Sequence, residues 1–153
     1  MKKLFILPVI IGLLISTAFA AGTTKNDDDK SANVSYAAVN QFNSDFRNAS
    51  NVRWTVTANS QKVDFVIDNV KKTAFYSFDG TYLGTTQKVN YDVIPSKAKK
   101  EIAEKYKGYN VGDVIELQTS DNIQHFVDLK SEKAEILVRV APTSVVYFFQ
   151  QVK

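Results

Sequence analysis

The chain carries one pattern twice. A run with helical spacing (Val39, Phe42, Phe46), a polar joint and alternating runs return about sixty residues later as Ala98, Ile102 and Tyr106, the joint Lys107-Gly108-Tyr109-Asn110, and further alternation. A helix-period stretch and period-two stretches cannot exchange conformations without losing their buried faces, so a repeated order of both predicts a repeated unit. The expected fold is α+β: two repeated helix-plus-four-stranded antiparallel meander units, about 34–90 and 91–153, with the helices on one face of the sheet.

In the first copy Ser35 is placed to cap a helix from Tyr36, and Arg47 to Asn51, dense in Asn and Ser, should end it. Val52, Trp54 and Val56 then alternate with Arg53, Thr55 and Thr57, as in a strand with one buried face. Asn59-Ser60 reads as a turn, and Val63, Phe65 and Ile67 continue the apolar face. Ala74, Tyr76 and Phe78 form a third strand, and Asp79-Gly80 turns the chain into a fourth over Thr81–Gln87.

In the second copy Pro95 and Ser96 are expected to start a helix that Gly108 ends. Strands follow near Asn110–Gln118, Ile123–Leu129, Ala134–Val140 and Val145–Val152. Val63, Phe65 and Ile67 match His125, Val127 and Leu129 at the same offset at which Ala74, Tyr76 and Phe78 match Ile136, Val138 and Val140. Ala141-Pro142 stands where Asp-Gly would be expected, so this hairpin should turn differently. Trp54, Phe65, Tyr76, Phe42 and Ile102 are the expected core.

The flanks decide compartment. Lys2-Lys3, the apolar run Leu4–Ile15 and Ala18-Phe19-Ala20 make a secretory signal peptide over residues 1–20, cleaved near Ala20. The run is short for a membrane span and interrupted by Pro8 and Gly12, so no membrane segment is expected after cleavage. The chain contains no Cys, which excludes lipid anchoring at a cysteine and disulfide staples alike. The expected location is the bacterial periplasm or the exterior. Residues 21–33 carry little apolar surface and read as a disordered lead-in to a domain over 34–153. Their Asp27-Asp28-Asp29 run lacks the Gly and Glu that a calcium loop needs, because Ala32 and Ala38 occupy those positions.

Charge and residue supply exclude several functions. Of 19 basic and 16 acidic residues, Lys2 and Lys3 leave with the signal, so 17 against 16 gives a mature charge of +1. Without a concentrated basic stripe no nucleic-acid partner is expected. His125 is the sole histidine, and its alternation with Val127 and Leu129 makes it a core-edge residue; a hydrolase using His125 is the enzymatic alternative. Zinc would need further His or Cys ligands, which the chain lacks. Asp64 and Asp68 are spaced for one strand face, yet among Lys62 and Thr residues they read as solvated charges. No glycine-rich phosphate loop occurs. No catalytic residue, metal or cofactor is therefore expected.

The segment Phe46-Arg47-Asn48-Ala49-Ser50-Asn51-Val52-Arg53-Trp54, the hairpin Phe75-Tyr76-Ser77-Phe78-Asp79-Gly80, and Ile94-Pro95 leading to Lys105-Tyr106-Lys107-Gly108-Tyr109 resemble the PepSY-like, beta-lactamase-inhibitor-like family of secreted bacterial proteins. The resemblance covers nearly the whole mature chain. It implies helices on one face of an antiparallel sheet with the other face available to a protein partner, and a non-enzymatic module that binds or restrains an extracytoplasmic enzyme. No inhibitory residue carries over from it. The alternative in another class is an envelope assembly protein that self-associates through its last strand.

Aromatic residues and Arg dominate interface energetics, so the outward candidates for protein binding are Arg53, Thr55, Phe75, Leu137, Arg139 and Phe148. In the unalternated run Val145–Phe149, the repeat register sends Val145, Tyr147 and Phe149 inward and leaves Val146 and Phe148 outward beside Leu137.

Overall fold

The computed structural model describes residues 33–153. The expected signal peptide over 1–20, the Asp27–Asp29 run and all of the expected lead-in except Asn33 lie outside the described residues. Eight strands and two α-helices follow in the order α1 (Tyr36–Asp45), β1 (Ser50–Val56), β2 (Gln61–Ile67), β3 (Val70–Tyr76), β4 (Tyr82–Val89), α2 (Ser96–Lys105), β5 (Asn110–Gln118), β6 (Ile123–Lys130), β7 (Glu135–Val140) and β8 (Val146–Gln151), with a short 3-10 turn at Tyr91–Val93. The eight-stranded antiparallel sheet takes its strands in chain order, β1 to β8. Among the described residues no helix is long and apolar enough to cross a membrane. The chain divides into two units between Thr85 and Thr86, inside β4.

In the first unit Ser35 caps α1 as expected, its Oγ accepting from the Ala38 N–H at 3.2 Å. The cap is itself held: Gln61, fully buried at the start of β2, accepts from the Ser35 N–H at 2.5 Å and donates to Ser35 Oγ at 3.0 Å. That satisfies a buried amide whose desolvation would otherwise cost about 1–3 kcal/mol. The buried face of α1, Ala38 and Phe42, packs on Val63, Phe65, Ala74 and Tyr76, with Phe46, Trp54 and Tyr82 at the margin. Phe42, Phe65, Tyr76 and, in the second unit, Ile102 are core residues as expected, whereas Trp54 is half-buried.

Two turns in this unit differ from the sequence reading. Ile67 pairs directly with Val70, so Asp68-Asn69 is a two-residue hairpin, and both take positive φ, 53° and 62°. Such a turn matches strand twist and tolerates Asn and Asp because their side chains bond locally. The expected pairing of Asp64 with Asp68 on one strand face therefore fails. β3 also ends at Tyr76, which leaves Phe78 exposed in the following turn. That turn is closed by Ser77 N–H to Thr81 O and Gly80 N–H to Ser77 O, at 2.9 and 3.0 Å. Gly80 has φ +88°, and a Cβ there would lie 2.7 Å from the Ala37 Cβ, so glycine is required by conformation and by the approach of α1.

In the second unit α2 begins without a side-chain cap. The helix starts at the expected pair, with Pro95 the N-cap and Ser96 the first helical residue. Its buried face, Ala98 and Ile102, packs with Ile94 on Val114, Val127, Leu129, Ile136, Val138, Val140 and Val146. The β7–β8 turn repeats the bonds of the Ser77–Thr81 turn: Ala141 N–H to Val145 O at 3.0 Å and Ser144 N–H to Ala141 O at 2.8 Å. Ser144 holds φ 64° where the other turn has glycine. The expectation of a different turn is corrected: the same geometry is built at the conformational cost of a non-glycine residue.

Candidate protein-binding surface

Register sorts the candidates by face. In the first unit Arg53 pairs with Asp64 and Thr55 with Lys62, while Lys62 pairs with Phe75 and Asp64 with Thr73. All six lie on the sheet face opposite Trp54, Val63, Phe65 and Ala74, the residues that meet α1. Arg53 is exposed and Thr55 half-buried. Phe75, expected outward, is on that face but only 3% exposed, so it offers a partner almost no surface. The accessible chemistry here is polar: Thr73 Oγ1 donates to Asp64 at 2.6 Å, and Lys62 Nζ sits 3.4 Å from the same carboxylate.

In the second unit Arg139 pairs with Phe126 on one side and with Tyr147 on the other. Its guanidinium lies 5.0 Å from the centre of the Tyr147 ring, and Phe149 meets Phe126 edge-on at 5.2 Å. Leu137 and Arg139 are half-buried, while Tyr147 is 45% exposed.

Phe148 is 59% exposed, but it pairs with Val138 of the α2-packed core rather than standing beside Leu137. The register shifts between Leu137 and Val138, where β8 carries the extra residue Phe149. An inserted residue breaks the alternation beyond Phe148, and ahead of it Val146, opposite Val140, is buried where it was expected to face outward. Tyr147 is the residue the sequence reading missed. The length of the Ala141–Val145 turn was the available signal, since it fixes Arg139 opposite Tyr147.

Two buried polar atoms on this face have no hydrogen-bond partner, Arg139 Nε and Asp128 Oδ1. Asp128 pairs with Leu137 across β6 and β7. Burial pushes its carboxyl above the usual carboxylate range, against the opposing pull of Lys130. Lys130 Nζ lies 3.0 Å from both Asp128 and Glu135. The carboxylate fits there because residue 112 is glycine: a Cβ would come within 2.6 Å of Asp128 Oδ2. One strand pair thus presents an unsatisfied donor and an unsatisfied acceptor beside exposed aromatic surface.

His125 sits elsewhere, across from Glu116 and Val140. Its Nε2 is buried 3.4 Å from Glu116 Oε2 without forming a hydrogen bond. The Glu116 carboxylate also accepts from Gln87 Nε2 at 2.7 Å. Nε2 therefore faces a carboxylate, not a hydroxyl nucleophile. Among the described residues, no group of three or more acids or histidines is arranged to hold a metal ion.

This fold, an eight-stranded antiparallel sheet with two helices, is found in solved bacterial proteins. A DUF2874 family protein of Bacteroides uniformis is similar at TM-score 0.70 and 14% identity, over 77% of this chain and 89% of that one. A candidate periplasmic protein of Bacteroides eggerthii gives TM-score 0.69 at 12% identity over 77% and 88%. A BLIP-like protein of Bacteroides fragilis gives 0.66 at 16% over 77% and 86%. The chain has a BLIP-like fold. No family model matches the sequence, and no curated protein matches it.

Proposed function

We propose that this is a secreted, non-enzymatic protein-binding module that restrains an extracytoplasmic enzyme, and that its second unit makes the principal contact through Arg139, Tyr147 and Leu137. The observation that carries the reading is the Arg139 guanidinium, 5.0 Å from the ring centre of the exposed Tyr147. The guanidinium carries its N–H donors in a planar fork, which suits a partner's carboxylate or carbonyl. Arginine and tyrosine are also the residues most enriched among interface hot spots.

The location rests on the signal-like residues 1–20 and on the periplasmic description of one structural neighbour; the inhibitory role rests on the BLIP-like neighbour and the sequence resemblance to the PepSY-like, beta-lactamase-inhibitor-like family. Descent of the two units from one duplicated unit is supported by shared local bonds. Both helices end alike, Phe46 N–H to Phe42 O and Tyr106 N–H to Ile102 O at 2.9 Å, and both β7–β8 and β3–β4 turns share one bonding pattern. Arg53 and Thr55 of the first unit, and Phe148 at the strand edge, are secondary contacts in this reading; Phe75 would contribute only if exposed on binding.

The test is capture of partners from a periplasmic extract on the immobilised mature protein, followed by Arg139→Ala and Tyr147→Ala. Each substitution should reduce retention of a captured enzyme about tenfold or more, as hot-spot truncations do. Unchanged retention with both would reject this placement, and then Arg53→Ala tests the first unit.

A further inference from the structure

β8 stands last in the strand order, so one side of its backbone is not paired within the sheet. Which groups point there follows from the turn. Val145 O accepts from Ala141 N–H, so Val145 and, two residues on, Tyr147 turn their backbone groups toward β7. Val146 and Phe148, opposite Val140 and Val138, direct their N–H and C=O groups outward. From Val145 to Val152 there is no charged residue, no Pro and no Gly. Exposed Tyr147, Phe148 and Val152 flank this edge. Such a strand is a template for strand addition, and natural edges are usually blunted by charge, proline or a bulge.

β1, first in the order, is blunted in that way. It carries Arg53, a shift of register between Ser50 and Arg53, and Asn51 at φ 52°. β8 has a bulge at Phe149 but keeps Val146–Phe148 regular ahead of it. On the α2 side, Glu101 lies 2.5 Å from Lys105 Nζ; its carboxyl is held below its ordinary range first by Lys105 and, to a lesser degree, by the Val146 amide.

We propose that the outer edge of β8 is a strand-addition surface for a second copy of this chain, and that Glu101 of α2 restrains it. Antiparallel pairing centred on Tyr147 sets Val146 of each copy against Phe148 of the other. Their outward groups then form reciprocal hydrogen bonds, and Tyr147 meets its own counterpart. A strand pairing with itself places like residues together, so the absence of charge makes a second copy the fitting occupant; aromatic cross-strand pairs add to its stability. The Glu101 carboxylate, drawn to the Val146 amide, competes with a second strand for that donor. This inference does not rest on heterologous binding through Arg139, although both would use Tyr147 and so would compete.

Sedimentation equilibrium of the processed protein tests it. Glu101→Ala should tighten self-association about tenfold or more, and adding Phe148→Pro, which removes an outward N–H without breaking a bond to β7, should abolish the gain. Hydrogen exchange on the unmutated protein gives a second readout: protection of the Phe148 amide should rise with protein concentration. A Glu101→Ala variant no more associated than the parent, self-association undiminished by a folded Phe148→Pro variant, or Phe148 protection independent of concentration would each overturn the proposal.

Discussion

The two units solve one packing problem with different materials. Under α1 the first unit sets rings against rings: Phe42 meets Phe46, Trp54 and Phe65 at centroid distances of 5.5, 5.6 and 5.1 Å, and Tyr76 meets Trp54 and Tyr82. Under α2 the second unit uses branched aliphatics, with its tyrosines Tyr91, Tyr106 and Tyr109 at the margin. Aromatic pairs add edge-to-face electrostatics to area burial, whereas aliphatic side chains depend on close shape fit alone. The units also differ at their helix starts, one tied by Ser35 and Gln61 and the other uncapped, and at one turn, Gly80 against Ser144. The lesson is that patterning specifies the arrangement while side-chain identity distributes the stability within it.

The largest expected effect separates the two cores. Phe42→Ala removes a ring touching three others and should destabilise by about 4 kcal/mol, against about 3 for Ile102→Ala. Chemical denaturation followed by far-ultraviolet circular dichroism, with Trp54 fluorescence reporting on the first unit, checks the ranking. An Ile102→Ala variant less stable than Phe42→Ala would break the comparison.

The turns come next. Gly80→Ala forces a Cβ toward Ala37 at positive φ and should cost about 2 kcal/mol, while Ser144→Gly relieves a left-handed serine and should gain about 0.5 kcal/mol. Thermal melts of both variants decide it, and loss of stability in Ser144→Gly would show that its hydroxyl contributes more than its backbone costs. At the helix starts, Ser35→Ala should cost about 1 kcal/mol, since it removes both the cap and one of the two acceptors of Gln61 Nε2, the other being Ser77 O. Ser96→Ala should be nearly neutral by the same measurement.

Acid sharpens the contrast with the smallest effect. Asp79 is held at about 2, below its ordinary 3.8, first by the Ser77 hydroxyl and then by the Thr81 amide. Its contribution is present above pH 3.8 and is lost as pH falls toward 2. Asp128 has the opposite sign: its raised value means that the folded state takes up a proton first, so falling pH relieves a cost in the second unit. In an NMR titration the Thr81 amide should move with a midpoint near 2, and the Asp128 carboxyl should titrate above the ordinary carboxylate range.

Much of this was legible along the chain because side-chain period reports secondary structure directly. Both helices, all eight strands, the Ser35 cap and four of the five named core residues followed from spacing. Errors collected where a single residue changes the count: the Asp68-Asn69 hairpin, Phe78 beyond the end of β3, and Phe149 inserted in β8. Of the candidate surface, the outward placement of Arg139 followed from alternation, while Tyr147 was assigned inward because the length of the Ala141–Val145 turn, which sets it opposite Arg139, was not foreseen.

By itself the sequence determined the elements, their order and the apolar face of each, since these depend on periods of 3.6 and 2 that are local. Tertiary structure alone decided that Phe75 is enclosed on the face opposite α1, that Arg139 Nε and Asp128 Oδ1 have no partner, and that the Glu101 carboxylate is drawn to the Val146 amide. The physical reason is that burial and polar satisfaction depend on what arrives from distant parts of the chain, and no local pattern records those approaches.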